Sequence, residues 1–105
     1  MENRNLRDRL KNGETILGCA VGIPHPTAVE IAGYAGFDFV FLDTEHSALG
    51  VTAIEPMILA ARVSGVASIY RVRQNDHAAI GRALDIGADG VLVPHVKSAD
   101  QVRAV

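Results

Sequence analysis

The sequence contains a single cysteine, Cys19, no tryptophan, and only 5% aromatic residues. One cysteine cannot form an intramolecular disulfide, so the composition favours a reducing location such as the cytoplasm. With few aromatic residues and no basic stripe among its ten Lys and Arg residues, the chain has little to bind nucleic acid, and we expect no such partner. The polar N-terminus lacks an apolar signal-peptide core, and no apolar run approaches the ~20 residues of a membrane span, so we expect no membrane partner either.

Four short segments of nearly continuous apolar character alternate with segments of helical periodicity. Such strands, apolar on both faces, are typical of a parallel sheet that is covered on both sides. The predicted strands are 16–22, 37–43, 66–72 and 90–96. A glycine precedes each of the last three, which predicts that a helix ends just before each strand.

The predicted helices lie before and between these strands, beginning with a short one around Leu6 and Leu10. The apolar face of the next helix is predicted to contain Ala28, Ile31, Ala32 and Ala35. Capping-box spacing occurs at two later starts, Thr52 with Glu55 and Ser98 with Gln101. In the segment between them, Gly87 is the predicted helix stop.

This order predicts an α/β fold with an N-terminal helix followed by about four βα units. Two architectures accommodate such a series, an open doubly wound sheet and a (β/α)₈ barrel. No G-x-G-x-x-G follows the first strand, so a dinucleotide site has no support. Because a whole barrel needs about 250 residues, we expect residues 1–105 to form one partial domain, the N-terminal half of a barrel.

Ionisable residues collect at the predicted carboxyl ends of the strands, where parallel βα folds carry their chemistry. The candidates are Asp43, Glu45 and His46 after the second strand, Arg71 and Arg73 after the third, His95 after the fourth, and His25 after the first. An aspartate can orient a histidine three residues later and raise its basicity. Arg71 offers a planar fork for a carboxylate or a developing oxyanion. Together these groups suit proton abstraction from a keto acid, or its retro-aldol cleavage.

Each residue alone also has a purely structural interpretation. Asp43 can cap the turn after its strand, His46 can be a solvated loop residue, and His95 beside Pro94 fits either role. His25 and His77 fit a loop and a helix start, and Asp76 or Asn75 fits a helix cap. The sequence has no H-E-x-x-H and no cysteine cluster, and two carboxylates two residues apart do not define a Mg²⁺ or Mn²⁺ site.

Longer motifs carry a family resemblance that runs over essentially the whole chain. "GFDFVFLDTEHS" followed by "YRVRQNDHAAIGRALDIGADGVLVPHVKSADQVR" resembles the HpcH/HpaI aldolases, metal-dependent enzymes of the phosphoenolpyruvate/pyruvate (β/α)₈ barrel group. The resemblance implies reversible cleavage of a 4-hydroxy-2-oxo acid to pyruvate, or a close relative, and an aldehyde by a class II mechanism. It also implies a cytoplasmic homo-oligomer with a small-molecule 2-oxo acid substrate.

The resemblance further implies roles for particular residues. His46 corresponds to the acid/base histidine, Asp43 to its partner, and Arg71 to the arginine that binds the keto-acid oxygens. Glu45 is implied to lie near the metal without binding it directly. The direct ligands of that metal, Mg²⁺ or Mn²⁺ with Co²⁺ as a further candidate, are expected beyond residue 105, so activity of these residues alone stays open.

Two other functions remain as alternatives. One is a related acyl-CoA lyase acting on malyl- or citramalyl-type thioesters. The other is a non-catalytic half-barrel that serves in assembly. A half-barrel leaves two parallel sheet edges and an apolar interior uncovered, so we expect either a truncated or proteolysed piece of an aldolase or association with other copies.

Overall fold

The computed structural model describes residues 5–45 and 50–105. The elements along the chain are α1 Leu6–Lys11, β1 Gly18–Val21, α2 Pro26–Tyr34, β2 Phe39–Asp43, α3 Val51–Ser64, β3 Ala67–Arg71, α4 His77–Asp85, β4 Gly90–Leu92 and α5 Ala99–Ala104. Each strand lies within its predicted segment and is shorter than predicted. Over the described part of the chain, no helix has the length and apolar character needed to cross a membrane.

The four strands form one parallel sheet in the order β1-β2-β3-β4. A doubly wound sheet would reverse its strand order at a switch point, whereas here each strand pairs with the next one along the chain. The α/β prediction is therefore confirmed, and the order is that of one side of a (β/α)₈ barrel.

The two faces of the sheet have different surroundings. Val40 and Leu42 of β2 are fully buried in the core beneath the helices. Phe39 and Phe41, which alternate with them, face the other way and are only half-buried. On that second face lies a cavity of about 880 Å³ that also borders α1. Its apolar lining is Leu6, Leu10, Ile16, Phe39, Phe41, Ile69 and Leu92. This face corresponds to the interior of the barrel.

Glycines end the helices as the sequence predicts. Gly65 follows α3 with φ 78° and Gly87 follows α4 with φ 100°, both in the left-handed region that side-chain-bearing residues avoid. At Gly87 the Arg62 guanidinium approaches closely and donates a 3.3 Å hydrogen bond to the Gly87 carbonyl, so a Cβ there would displace the end of this flexible side chain. These turns reverse the chain into the next strand.

Two predictions about helices are wrong. The N-cap of α3 is Gly50, without a side-chain cap, because Thr52 already lies inside the helix. In α2 the buried residues are Val29 and Ala32, whereas Ile31 is 65% exposed. Helix α2 packs on its neighbours with a face rotated from the predicted one. The start of α5 is closer to prediction, because the Ser98 hydroxyl accepts the backbone N–H of Gln101.

A polar contact ties α1 to the sheet. Arg9 Nη1 lies 2.7 Å from Asp38 Oδ1, and the other Asp38 oxygen accepts the Leu17 N–H at 2.8 Å. The Leu17 hydrogen bond, followed by the Arg9 guanidinium, lowers the pKa of Asp38 below its usual 3.8. The ionised carboxylate thus joins the segment before β1 to the start of β2.

We predict that Asp38→Asn lowers the thermal midpoint by a few degrees at neutral pH. Since the folded pKa lies below the unfolded one, this stabilisation is complete above the unfolded value of 3.8 and is lost as the pH falls through the folded value. Thermal melts of both proteins across that range test it. Asp100→Asn is the control, because the Asp100–Arg103 pair is exposed. A difference between Asp38→Asn and the original chain that persists in acid would contradict the assignment.

Candidate active site

The parallel register brings two charged side chains to one edge of the sheet. Asp43 ends β2, Arg71 ends β3, and their Cα atoms are register partners. Because side chains alternate along a strand, both lie on the same face as Phe41 and Ile69. The charges therefore lie at the carboxyl end of the barrel interior, with apolar residues behind them.

The turn after β2 places a second carboxylate over Arg71. Asp43 Oδ1 accepts the Glu45 backbone N–H at 2.8 Å, which is the turn-capping role that the sequence left open. Thr44 is buried and donates its hydroxyl to the Arg71 carbonyl at 2.8 Å. These two hydrogen bonds fix the backbone of the turn relative to β3.

The Glu45 side chain lies between two nitrogen-bearing side chains. Its Oε2 is 2.8 Å from Arg71 Nε, and its Oε1 is 2.6 Å from His95 Nε2. The Arg71 contact is an ion pair whose N–H direction does not meet hydrogen-bond geometry. Asp43 Oδ2 is a more distant partner, 3.6 Å from Arg71 Nη1. The side chain of Glu45 is only 9% exposed, so its contact with Arg71 has little solvent screening, whereas the contact with His95 involves an exposed ring.

The structure brings together four of the candidates, Asp43, Glu45, Arg71 and His95. His46 lies outside the described residues. His25 serves instead as the N-cap of α2, where its Nδ1 accepts the Thr27 N–H at 3.1 Å. The others are also separate from the group: His77 begins α4, Asp76 caps it, and Arg73 is exposed. The sequence places His95 among the residues at the strand ends, because it follows an apolar strand, but it assigns His95 no role and does not predict its contact with Glu45.

The described residues do not by themselves fit a divalent cation. Within 5–45 and 50–105 there is no group of three or more His, Cys, Asp or Glu side chains arranged to hold a metal ion. Oxygens of Asp43 and Glu45 already contact Arg71 or His95. These residues alone therefore support no chemical step through a metal. The large interior cavity borders none of Glu45, Arg71 and His95.

Comparison with known proteins identifies the family. The family model for HpcH/HpaI aldolase/citrate lyase matches residues 17–105. The chain belongs to this family. Members of the family are generally metal-dependent aldolases and lyases. The charged group formed by Asp43, Glu45, Arg71 and His95, hereafter the mouth of the barrel, is consistent with that kind of chemistry.

Individual relatives of the chain are aldolases, and a solved structure that resembles it is a citrate synthase. The pyruvate aldolase of Rhizobium etli is 36% identical over 100 residues, which are 95% of this chain and 39% of that protein. The 5-keto-4-deoxy-D-glucarate aldolase of Klebsiella pneumoniae is 40% identical over 85 residues, 81% of this chain and 33% of that protein. Among solved structures, citrate synthase SbnG superposes with a TM-score of 0.87 at 37% identity, covering 94% of this chain and 40% of that one. The chain therefore spans 33–40% of the length of these relatives.

We predict that Thr44→Val lowers the free energy of unfolding by about 1 kcal/mol, because it removes a buried hydroxyl donor without changing the side-chain shape. Urea unfolding measures the change. Thr52→Val is the matched control, since Thr52 is exposed in α3 and should give a change near zero. Equal effects at the two positions would contradict a specific role for the Thr44 hydrogen bond.

Proposed function

We propose that residues 1–105 form one partial barrel domain carrying the keto-acid-binding part of an aldolase active site. The reaction is the reversible cleavage of a 4-hydroxy-2-oxo acid to pyruvate, or a close relative, and an aldehyde. The observation that carries this proposal is the Arg71 guanidinium on the interior face of β3, 2.8 Å from a carboxylate that holds it at the mouth. The names of the aldolase relatives support the same reaction class.

Arg71 suits an oxygen-rich anionic ligand. Its side chain is 25% exposed, so part of it is accessible, and its planar fork matches two oxygens of a carboxylate or of the adjacent keto group. Cleavage of the C3–C4 bond leaves its electron pair on the pyruvate part as an enolate. A fixed guanidinium stabilises that developing oxyanion without needing to reorganise.

The proton balance assigns the remaining roles. As the bond breaks, the 4-hydroxyl loses its proton and becomes the aldehyde carbonyl, and the enolate later takes a proton at C3. His46 is the proposed acid/base for the hydroxyl and Asp43 its proposed partner. When bound, a divalent cation of the kind expected for the family, Mg²⁺, Mn²⁺ or Co²⁺, would add Lewis-acid stabilisation of the enolate, with ligands other than the residues described.

A second candidate is a related carbon–carbon synthase or lyase acting on a citrate-like acid. The superposition on citrate synthase SbnG favours it. The two candidates share an anionic ligand at Arg71 and differ in the partner molecule.

Location and assembly belong to the same proposal. The free thiol of Cys19 favours a cytoplasmic location. Strands β1 and β4 each pair on one side only within the described sheet, and Leu92 is 42% exposed on the interior face. These uncovered surfaces support association with another segment of polypeptide or with other copies of the chain, as in the proposed homo-oligomer.

Exchange of the pyruvate methyl protons in D₂O tests enolate formation without knowledge of the aldehyde. In a protein that also supplies the metal ligands, we predict exchange with Mg²⁺ or Mn²⁺ that EDTA abolishes. We expect Arg71→Lys to lower its rate by roughly 10²–10³-fold, because an ammonium cannot reproduce the fork. One-dimensional NMR of the methyl signal measures it.

Arg73→Lys provides the matched control for this experiment. Arg73 is exposed two residues beyond Arg71 on the same stretch of chain, so the same substitution there should leave the exchange rate unchanged. A folded protein that includes those metal ligands and shows no metal-dependent exchange, or equal rates for the two variants, would contradict the proposed function.

A further inference from the structure

The imidazole of His95 belongs to the mouth but has no part in the proposed proton or enolate chemistry. Its Nε2 lies 2.6 Å from Glu45 Oε1, and its side chain is 69% exposed. Glu45 in turn contacts Arg71. His95 is thus linked to the proposed keto-acid site while remaining accessible to a ligand.

The backbone of His95 is in an unusual conformation. Its φ of 57° is the only positive value at a non-glycine residue among the described residues. Side-chain-bearing residues seldom adopt this region, because the conformation is strained for them. Pro94 immediately before it is buried, which anchors the chain where the direction changes. The conformation accompanies the placement of the ring against Glu45, and such strain is concentrated at functional sites.

The contact with Glu45 determines which ring nitrogen carries the proton. No hydrogen bond of good geometry joins the two groups, but an unprotonated Nε2 at 2.6 Å would set its lone pair against the Glu45 carboxylate. The neutral ring therefore carries its proton on Nε2, and Nδ1 keeps its lone pair. No hydrogen bond to Nδ1 is formed by the residues that the structure describes. The exposed ring therefore offers an acceptor whose partner would come from outside the described residues.

The exposed fraction of the side chain is lowest for Glu45, at 9%, higher for Arg71, and highest for His95, which lies at the rim of the mouth. Since Glu45 contacts both Arg71 and His95, a 2-oxo acid whose carboxyl and keto oxygens bind Arg71 has His95 as an accessible neighbour for its opposite end. We propose that His95 is a specificity-determining residue whose Nδ1 accepts a hydrogen bond from a hydroxyl group on the aldehyde-derived end of the substrate. This inference rests on the proposed function for the position of the keto-acid end.

The test compares two ligands that differ by one hydroxyl, 2-oxopentanoate and 5-hydroxy-2-oxopentanoate. Neither has a 4-hydroxyl, so retro-aldol cleavage consumes neither, and binding is measured without turnover. We expect the 5-hydroxy acid to bind roughly threefold to tenfold more tightly, the range of one net hydrogen bond. NMR titration of the full chain gives both affinities.

His95→Gly and His95→Asn are the informative variants, because both residues tolerate a left-handed backbone. We expect the affinity ratio to fall to about one in His95→Gly. His95→Asn should retain part of the preference, since its amide oxygen can accept a hydrogen bond in place of Nδ1. His77→Ala, which alters an exposed histidine at the start of α4, should leave the ratio unchanged.

A second readout needs no ligand. In buffer alkaline enough to keep imidazoles neutral, ¹⁵N shifts should show His95 with its proton on Nε2, and Glu45→Gln should remove this preference. A ring with no tautomer preference in the original chain overturns the inference.

The two proposals fail in distinguishable ways. If 2-oxopentanoate binds but the ratio is the same in the original chain and His95→Gly, the role of His95 is overturned and the keto-acid site stands. If neither ligand binds, the inference is overturned as well. Failure of the proposed function is read separately, as the absence of pyruvate proton exchange.

Discussion

The carboxylate of Glu45 is the contact on which the arrangement of the mouth depends. It is nearly buried between the guanidinium of Arg71 and the imidazole of His95. A guanidinium on an interior strand position, behind which lie Phe41 and Ile69, would be costly without a nearby negative charge. Glu45 supplies that charge from the turn after the neighbouring strand, so the arginine can remain in the barrel interior and still be reached by a ligand.

Placing Glu45 correctly requires the fold on both sides of it. The parallel register sets Asp43 opposite Arg71, and Asp43 then turns the chain by accepting the Glu45 N–H. The Thr44 hydroxyl fastens the same turn to the Arg71 carbonyl. Each strand pairs in parallel with the next one along the chain, and this order brings the ends of β2, β3 and β4 to one edge of the sheet. The chemistry of the mouth is therefore a consequence of consecutive βα units.

Much of this could be predicted from the sequence. Apolar runs and glycine stops predict the strands because backbone periodicity and the left-handed region are local properties. The sequence predicted the buried face of α2 and the cap of α3 wrongly. Packing against neighbouring elements decides which side of a helix is buried, and local sequence does not contain that information. The contact of His95 with Glu45 joins residues 50 positions apart through an unusual φ at a non-glycine residue, for which local sequence gives no signal. The role of His46 stays a prediction.

Glu45 and Arg71 stabilise each other as a partly buried ion pair, and a double-mutant cycle measures this coupling. Urea unfolding of the original chain, Glu45→Gln, Arg71→Met and the double variant gives the coupling energy. Each single substitution should be destabilising because it leaves the other charge without its main partner. We expect the double variant to lose less stability than the sum of the single losses, by about 1 kcal/mol or more. Additive losses would contradict it.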